Sequence, residues 1–435
     1  MKHLILLTLL TIQISLTAQS VEKLIKEKDV KRILYTLTDD KLKGRSAHDQ
    51  ESIFKAAATI AKEFQKIGLK PLPGNNSFLQ EFSRDQIGMQ SIEVLVDGEK
   101  ISSDNLLLVS EKTNIKVSNG LSIKSIKFDA TAPNKDQYFF DQAFQINQDT
   151  VSSLIMIDPE FKNNFNEFKG FFSKRFARGR KGIKVFVVGK NTGNSYSITS
   201  TQKITPFRMA NVVGVLEGKS KKEERVVFSG HYDHIGIQKT KINGDSIANG
   251  ADDDASGTTA VIQLARYFKK AKQNERTLVF AAFTAEEIGG YGSQYFSKQL
   301  DPDKVVAMFN IEMIGKPSKW GINSAFITGF ERSDFGEILQ KNLQGTQFQF
   351  KPDPYPEQNL FYRSDNATLA RLGVPAHTIS TDQIDIDKLY HTVKDEAASL
   401  DIHNLTVTIR SIALSSKSIV NGTDTPKRID KSTVR

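Results

Sequence analysis

Five short groups of residues in this 435-residue sequence carry side chains able to do chemistry together. They are His231-Tyr-Asp233-His234, Gly250-Ala-Asp252-Asp253-Asp254-Ala-Ser-Gly257, Glu286-Glu287, Glu312 and Tyr390-His391. Acids at the start of a helix commonly only cap it, but three in a row repel one another, and a bound cation relieves that repulsion. Ser229, Ser256 and Ser364 lack any Gly-x-Ser-x-Gly setting, which argues against a serine hydrolase.

Something must bring these groups together, and the pattern after Met209 shows what. Short apolar runs at 211–216, 225–229, 277–283 and 305–311 read as strands, while 258–271 and 292–300 have helical spacing. Strands alternating with helices predict an α/β fold, a mixed and largely parallel twisted sheet covered by helices on both faces. In such sheets ligand sites collect beyond the carboxyl ends of the strands. The run 225–230 leads into His231, 277–283 into Glu286 and Glu287, and 305–311 into Glu312. Tyr390-His391 follow a last apolar run at 374–379. The three acids open the helix between the first two strands.

The order His231-x-Asp233, Gly-Ala-Asp-Asp-Asp-Ala-Ser-Gly, Ala285-Glu286-Glu287, Asn310-Ile311-Glu312-Met313 and Tyr390-His391 resembles the M28 family of zinc aminopeptidases in peptidase clan MH. The resemblance covers 209–420, with weaker similarity over 37–69 around Leu37-Thr-Asp-Asp-Lys-Leu-Lys-Gly-Arg45. It implies the zinc exopeptidase-like fold and two Zn2+ ions. His231, Asp253 and Glu312 would hold one, and Asp253, Glu287 and His391 the other. Imidazole and carboxylate suit zinc, and one carboxylate can offer an oxygen to each of two ions about 3.5 to 4 Å apart. Family analogy makes Glu286 the catalytic base toward a bridging water and Tyr390 a candidate for stabilising the oxyanion. It also implies a cis peptide after Asp253. Asp233, on the face of His231, is expected to accept the other ring N–H.

Two positions depart from the family pattern. Glu312 stands where Asp is usual, keeping the charge and adding a methylene. Asn366, in Arg363-Ser364-Asp365-Asn366, stands where many relatives have His, which puts a substrate-pocket role for that position in doubt. His234 reads as pocket wall or an outer layer of the site, His377 as a satisfied core residue, and Asp252 and Asp254 as loop-shaping. The implied activity is an aminopeptidase acting on peptide substrates. Carboxypeptidase, dipeptidase or glutaminyl cyclase chemistry on the same fold is the alternative, and a non-catalytic binding module a third reading.

Residues 1–18, with Lys2 before an apolar run and Thr17-Ala18-Gln19 after it, read as a signal peptide, so the protein is expected in the periplasm or outside the cell. That run is shorter than a membrane span needs, so no stable span is expected. No cysteine is present, which excludes disulfides and thiolate metal sites. The net charge of +9 is spread among acids except between Lys169 and Lys184, where Lys174, Arg175, Arg178 and Arg180 cluster. That stretch reads as a solvated face, and no nucleic-acid motif is present. The expected organisation is leading helices of the peptidase domain in 19–82 and an inserted β-rich accessory domain, loosely similar to a protease-associated domain, in 83–205. A di-zinc catalytic core in 206–422 and a polar tail in 423–435 complete it. Oligomeric state is not legible.

Overall fold

A computed structural model describes residues 21–172, 175–177, 179, 181–190 and 194–434. The expected signal peptide, and Lys174, Arg178 and Arg180 of the basic stretch, lie outside the described residues. The chain forms two compact units, one made of residues up to Phe82 with Met209 onward and the other of Ser83–Arg208.

In the first unit the leading helices are α1 (Glu27–Leu37) and α2 (Gln50–Ile67). The side chain of Asp49 caps α2 by accepting from the Ser52 N–H at 3.1 Å. The remaining elements are β1 (Tyr196–Leu216, of which 209–216 belong here), β2 (Lys221–His231), α3 (Gly257–Ala271), β3 (Arg276–Phe283), α4 (Tyr291–Lys298), β4 (Val305–Ile311), β5 (Ser324–Ile327), α5 (Phe335–Asn342), β6 (Gln349–Pro352), β7 (Ala376–Ser380) and α6 (Ile402–Ser415). Across the sheet the order runs β6-β5-β7-β4-β2-β3-β1. Strands β3, β2, β4 and β7 are mutually parallel, while β1 pairs antiparallel with β3 and β5 antiparallel with β7. The sheet is mixed with a parallel centre, as the alternation of strands and helices predicts.

Register explains why the central strands read as unbroken apolar runs. Phe280, Phe228 and Phe309 stand side by side on β3, β2 and β4, with ring centroids 5.6 and 4.7 Å apart, and Phe268 of α3 covers them. That face is buried under α1, α2, α3, α5 and α6. On the other face Val213, Val227, Val279 and Met308 pack against Phe296 of α4 and Leu369. Two covered faces leave no polar alternation, and the buried area is the main stabilising term. The segment expected as a polar tail also joins this second cluster. Ile429 is buried in it, and Arg428 donates to the carbonyl of Val305 at 2.8 Å.

The second unit has its own sheet, in the order 106–109, 184–188, 153–157, 122–126, parallel except for the first pair. It is strand-rich as expected, and it also contains two helices, Lys135–Gln148 and Lys162–Gly170. Their aromatic content, with Tyr138, Phe139, Phe140 and Phe144 in the first, favours strand by propensity and hides the helical spacing of Phe139, Ala143 and Ile146. Phe139, Phe161, Phe165, Phe168 and Phe186 form the core on that side of the sheet. On the opposite side Val185, Leu154 and Leu108 pack against Val94, Ile115 and Ile198.

Candidate metal centre

Strand β2 lies between β3 and β4, and its last residue is His231. The imidazole is buried, with Nε2 3.1 Å from Asp253 Oδ1 and 3.9 Å from Glu312 Oε1. The other oxygen of Asp253 turns the opposite way. Its Oδ2 lies 3.1 Å from His391 Nε2 and 3.6 Å from His234 Nδ1, while Glu287 Oε2 is 3.1 Å from the same His391 nitrogen. Two groups of donors therefore share one carboxylate: His231, Asp253 and Glu312 on one side, and His234, Asp253, Glu287 and His391 on the other. A carboxylate presenting one oxygen to each group is the arrangement a pair of cations requires.

The acid triplet divides its labour. Asp253 faces the imidazoles. Asp254 accepts the N–H of His231 at 3.1 Å, of Gly257 at 2.9 Å and of Met313 at 3.2 Å, and Asp252 accepts from Gly315 at 2.7 Å. These flanking acids splint the ends of β2 and β4 to the start of α3. Asp395 in turn accepts from the backbone of Asp252 and Asp253. The Asp253–Asp254 peptide is cis, in line with the resemblance. Both glycines of the motif are forced by crowding. A Cβ on Gly257 would lie 2.0 Å from the carbonyl of Ile311, and one on Gly250, at φ 57°, would lie 2.3 Å from the carbonyl of Asp253.

Beyond β3, Ala285 takes a positive φ of 60°, turning Glu286 and Glu287 into the site. Asp233 holds that turn. Its carboxylate accepts the N–H of Glu286 at 3.1 Å and of Glu287 at 3.3 Å. This differs from the expected contact with the His231 ring, because the chain leaves the strand at His231 and strand alternation no longer applies. The ring Nδ1 meets the carbonyl of Asp233 at 3.1 Å instead, and the carboxylate is 3.9 Å away. Either way Asp233 orients the site without touching the shared carboxylate. At the end of β4, Glu312 accepts from Ser364 Oγ, which accepts from Asn310 Nδ2 at 2.6 Å. Asn366 is buried away from the centre, bonding the carbonyl of Phe361 and the hydroxyl of Thr378.

Charge at the centre is unbalanced toward the negative. Burial holds the carboxyl of Glu312 up to about 7, opposed by His231 and assisted by Asp253. Burial likewise holds Glu286 well above the carboxylate range, against the pull of His231 and with the fields of Glu312, Asp365 and Glu287. Asp253 goes the other way. Burial opposes its ionisation, but His231 and His391 pair with it and keep it well below the usual range. Burial works against a charged His391, yet its bonds to Asp253 and Glu287 carry it up to about 10. Such groups demand positive charge, and His231 Nε2 and Glu287 Oε1 are buried without hydrogen-bond partners. The donor set and these orphaned atoms fit zinc.

Tyr390 stacks on the His391 ring at 4.0 Å. With Glu312 it lines a pocket of about 60 Å³ whose other walls include Phe326, Leu360, Arg363 and Thr378. Residues from the stretch 360–364 make part of its wall. The stretch 378–384 was not foreseen, since nothing in its sequence distinguishes it from core strand. His377 is the satisfied core residue expected, bonded to the carbonyl of Thr328 at 2.8 Å and to Ser333 Oγ at 2.7 Å.

Arg45 is a residue the sequence reading named only in passing. Fully buried, it donates to the carbonyls of Leu37, Tyr232, Asn249 and Gly250 at 2.5 to 2.8 Å. It thereby ties the leading segment to both the His231 and the Asp253 loops. The signal for it was its place in the leading Lys-Gly-Arg, which family resemblance touched and spacing could not interpret.

Fold and site together define a class, an α/β protein carrying a candidate two-metal centre beyond the ends of its parallel strands. Residues 211–415 match the family model described as Peptidase family M28, the family that the motifs resemble. A probable zinc metalloprotease of Leptosphaeria maculans is 36% identical over 112 residues, 25% of this chain and 25% of that protein. Leucine aminopeptidase 1 of Ajellomyces capsulatus is 28% identical over 215 residues, 46% of this chain and 53% of its own. The matched stretches thus span between a quarter and about half of these relatives. Among solved structures, a zinc aminopeptidase from Bacillus subtilis superposes with a TM-score of 0.56 at 16% identity, covering 94% of this chain and 99% of that one. An aminopeptidase from Aneurinibacillus sp. strain AM-1 does so at 0.54 and 16%, covering 96% and 98%. These likenesses show the shared fold.

Proposed function

We propose that this protein is an exported two-zinc aminopeptidase that removes N-terminal residues from peptides. The observation that carries the reading is the carboxylate of Asp253, whose two oxygens serve separate His and carboxylate groups within a family M28 domain. His231, Asp253 and Glu312 would hold one zinc, and Asp253, Glu287 and His391 the other. Ions held there supply Lewis acidity and lower the pKa of bound water. Glu286, buried beside Glu312 and Glu287 and held at raised basicity, takes a proton from the attacking water and delivers it to the leaving amine. Asp233 fixes the backbone from which Glu286 projects. Tyr390, which lines the pocket with Glu312, donates to the developing oxyanion.

The pocket next to Glu312 receives the side chain of the residue removed. Met313, Phe326, Leu360 and Ile384 make its walls apolar. Burial and the fields of Asp252 and Asp387 push Asp382, another of its lining residues, up to about 9, so this acid presents no net charge at neutral pH. A pocket walled largely by such apolar side chains selects an apolar side chain. Export rests on the sequence of residues 1–18, and among the described residues no helix is long and apolar enough to cross a membrane.

The decisive assay offers purified residues 19–435 a panel of aminoacyl chromogenic amides and N-blocked peptides, with and without chelator. Leucyl and methionyl amides should be cleaved ahead of glutamyl and lysyl amides, and chelation should abolish turnover. Cleavage of blocked peptides alone, or activity indifferent to chelator, refutes the proposal.

A further inference from the structure

Three residues beyond His231 lies a second imidazole, and it is placed unlike an ordinary buried histidine. The His234 side chain is completely buried, and neither ring nitrogen has a hydrogen-bond partner. Nδ1 lies 2.8 Å from Glu287 Oε1 and 3.6 Å from Asp253 Oδ2. His391 meets the ring edge-on, with centroids 5.6 Å apart and planes at 71°, and its own Nε2 approaches the same two carboxylates. A buried imidazole left without hydrogen bonds carries a desolvation cost that native structures rarely leave uncompensated.

The ring is also held where it stands. Gly250 closes against it so tightly that a Cβ there would be 2.4 Å from His234 Cγ. The His234 N–H donates to the carbonyl of Arg45 at 3.3 Å, and Ser46 bridges to it. Arg45 grips the carbonyls of Tyr232 and Gly250 on either side. A donor nitrogen locked among two carboxylates and a second imidazole is prepared for a cation rather than for a rotamer change.

We propose that His234 is a direct ligand of the zinc ion held by Asp253, Glu287 and His391. That position then has four protein donors, against three at His231, Asp253 and Glu312. The inference rests on the two-zinc reading and extends it: the two positions are unequal, and the position with His234 fills first and empties last.

X-ray absorption on the zinc-loaded full mature chain, with zinc content measured on the same sample, tests this without any variant. Two zinc ions per chain with scattering from three imidazoles is the expected result. Two ions with only two imidazoles overturns the role of His234 and leaves the two-zinc reading standing. No bound zinc overturns both. The variant His234→Ala, checked for an intact fold by circular dichroism, should lose one imidazole from the spectrum, and its tighter zinc affinity should fall at least tenfold in chelator competition. An unchanged imidazole count in that variant refutes ligation even if affinity falls, since a residue that merely orients Glu287 could lower affinity too.

Discussion

Glu286 and Glu287 are adjacent in sequence, follow the turn at Ala285, and carry different roles in the proposed function. Replacing Glu286 by Gln removes the proposed proton acceptor and should lower kcat roughly 10³-fold while leaving two zinc ions per chain, which metal analysis of the purified variant checks. Loss of metal in that variant would exchange the roles assigned to the two glutamates. Tyr390→Phe keeps the ring on His391 and removes the proposed oxyanion donor. Its kcat should drop on the order of 10²-fold with KM little changed, and a change in KM alone would make Tyr390 a pocket wall. Away from the site, burial, against its bond to Thr328, lowers the pKa of His377 to about 4. An unfolded histidine titrates near 6.5, so the unfolded chain binds the extra proton between these values. This neutral histidine therefore contributes full stability above about pH 6.5, and loses roughly 3 kcal/mol as pH falls toward 4. Urea unfolding at pH 7 and pH 5 should show the loss in the parent and a smaller loss in His377→Leu.

At the scale of elements, the site depends on where strands stop. Strand β2 ends at His231, β3 at Phe283 and β4 at Ile311, and each next residue or turn is tied down by a side chain from elsewhere: Asp254, Asp233 and Ser364. Arg45 adds the leading segment to this frame. Arg45→Met leaves four buried carbonyls without their donor and should destabilise the first unit by roughly 3 to 5 kcal/mol. Zinc should also leave it faster in a chelator challenge. Arg45→Lys should recover little, because an ammonium cannot span carbonyls spread as a guanidinium spans them. Recovery of full stability by lysine would mean that charge alone, and not the fork, braces the loops. The central strands and their flanking helices were legible in the sequence because apolar periodicity survives burial. Strands β5 and β6 and helices α5 and α6 were not recognised, since short runs such as Ser324–Ile327 carry no pattern of their own.

For the molecule as a whole, each unit has a complete core, and each should respond to its own lesions. In the second unit Asp149 accepts from Lys124 and from the buried Lys184. Burial opposes its ionisation, but those two lysines bring the carboxyl down to about 2. Asp149→Asn leaves the Lys184 ammonium short of a counter-charge and should cost roughly 1 to 2 kcal/mol. Calorimetry should show that loss in the transition of residues 83–208, with zinc content and melting of the first unit unchanged. A matching fall in both transitions would mean that the units unfold together.

By itself the sequence determined the α/β class, the order of the motifs and the donor types, because these depend on local periodicity and on chemistry each side chain carries with it. The resemblance borne by those motifs reached further, to the pairing of ligands around Asp253. What only the tertiary structure decided is direction and company. His234 and Asp233 lie just past the end of a strand, where alternation no longer says which way a side chain points, and Arg45 acts across 187 residues of chain. Such contacts are set by how separate loops pack together, and no periodicity within one segment records the other.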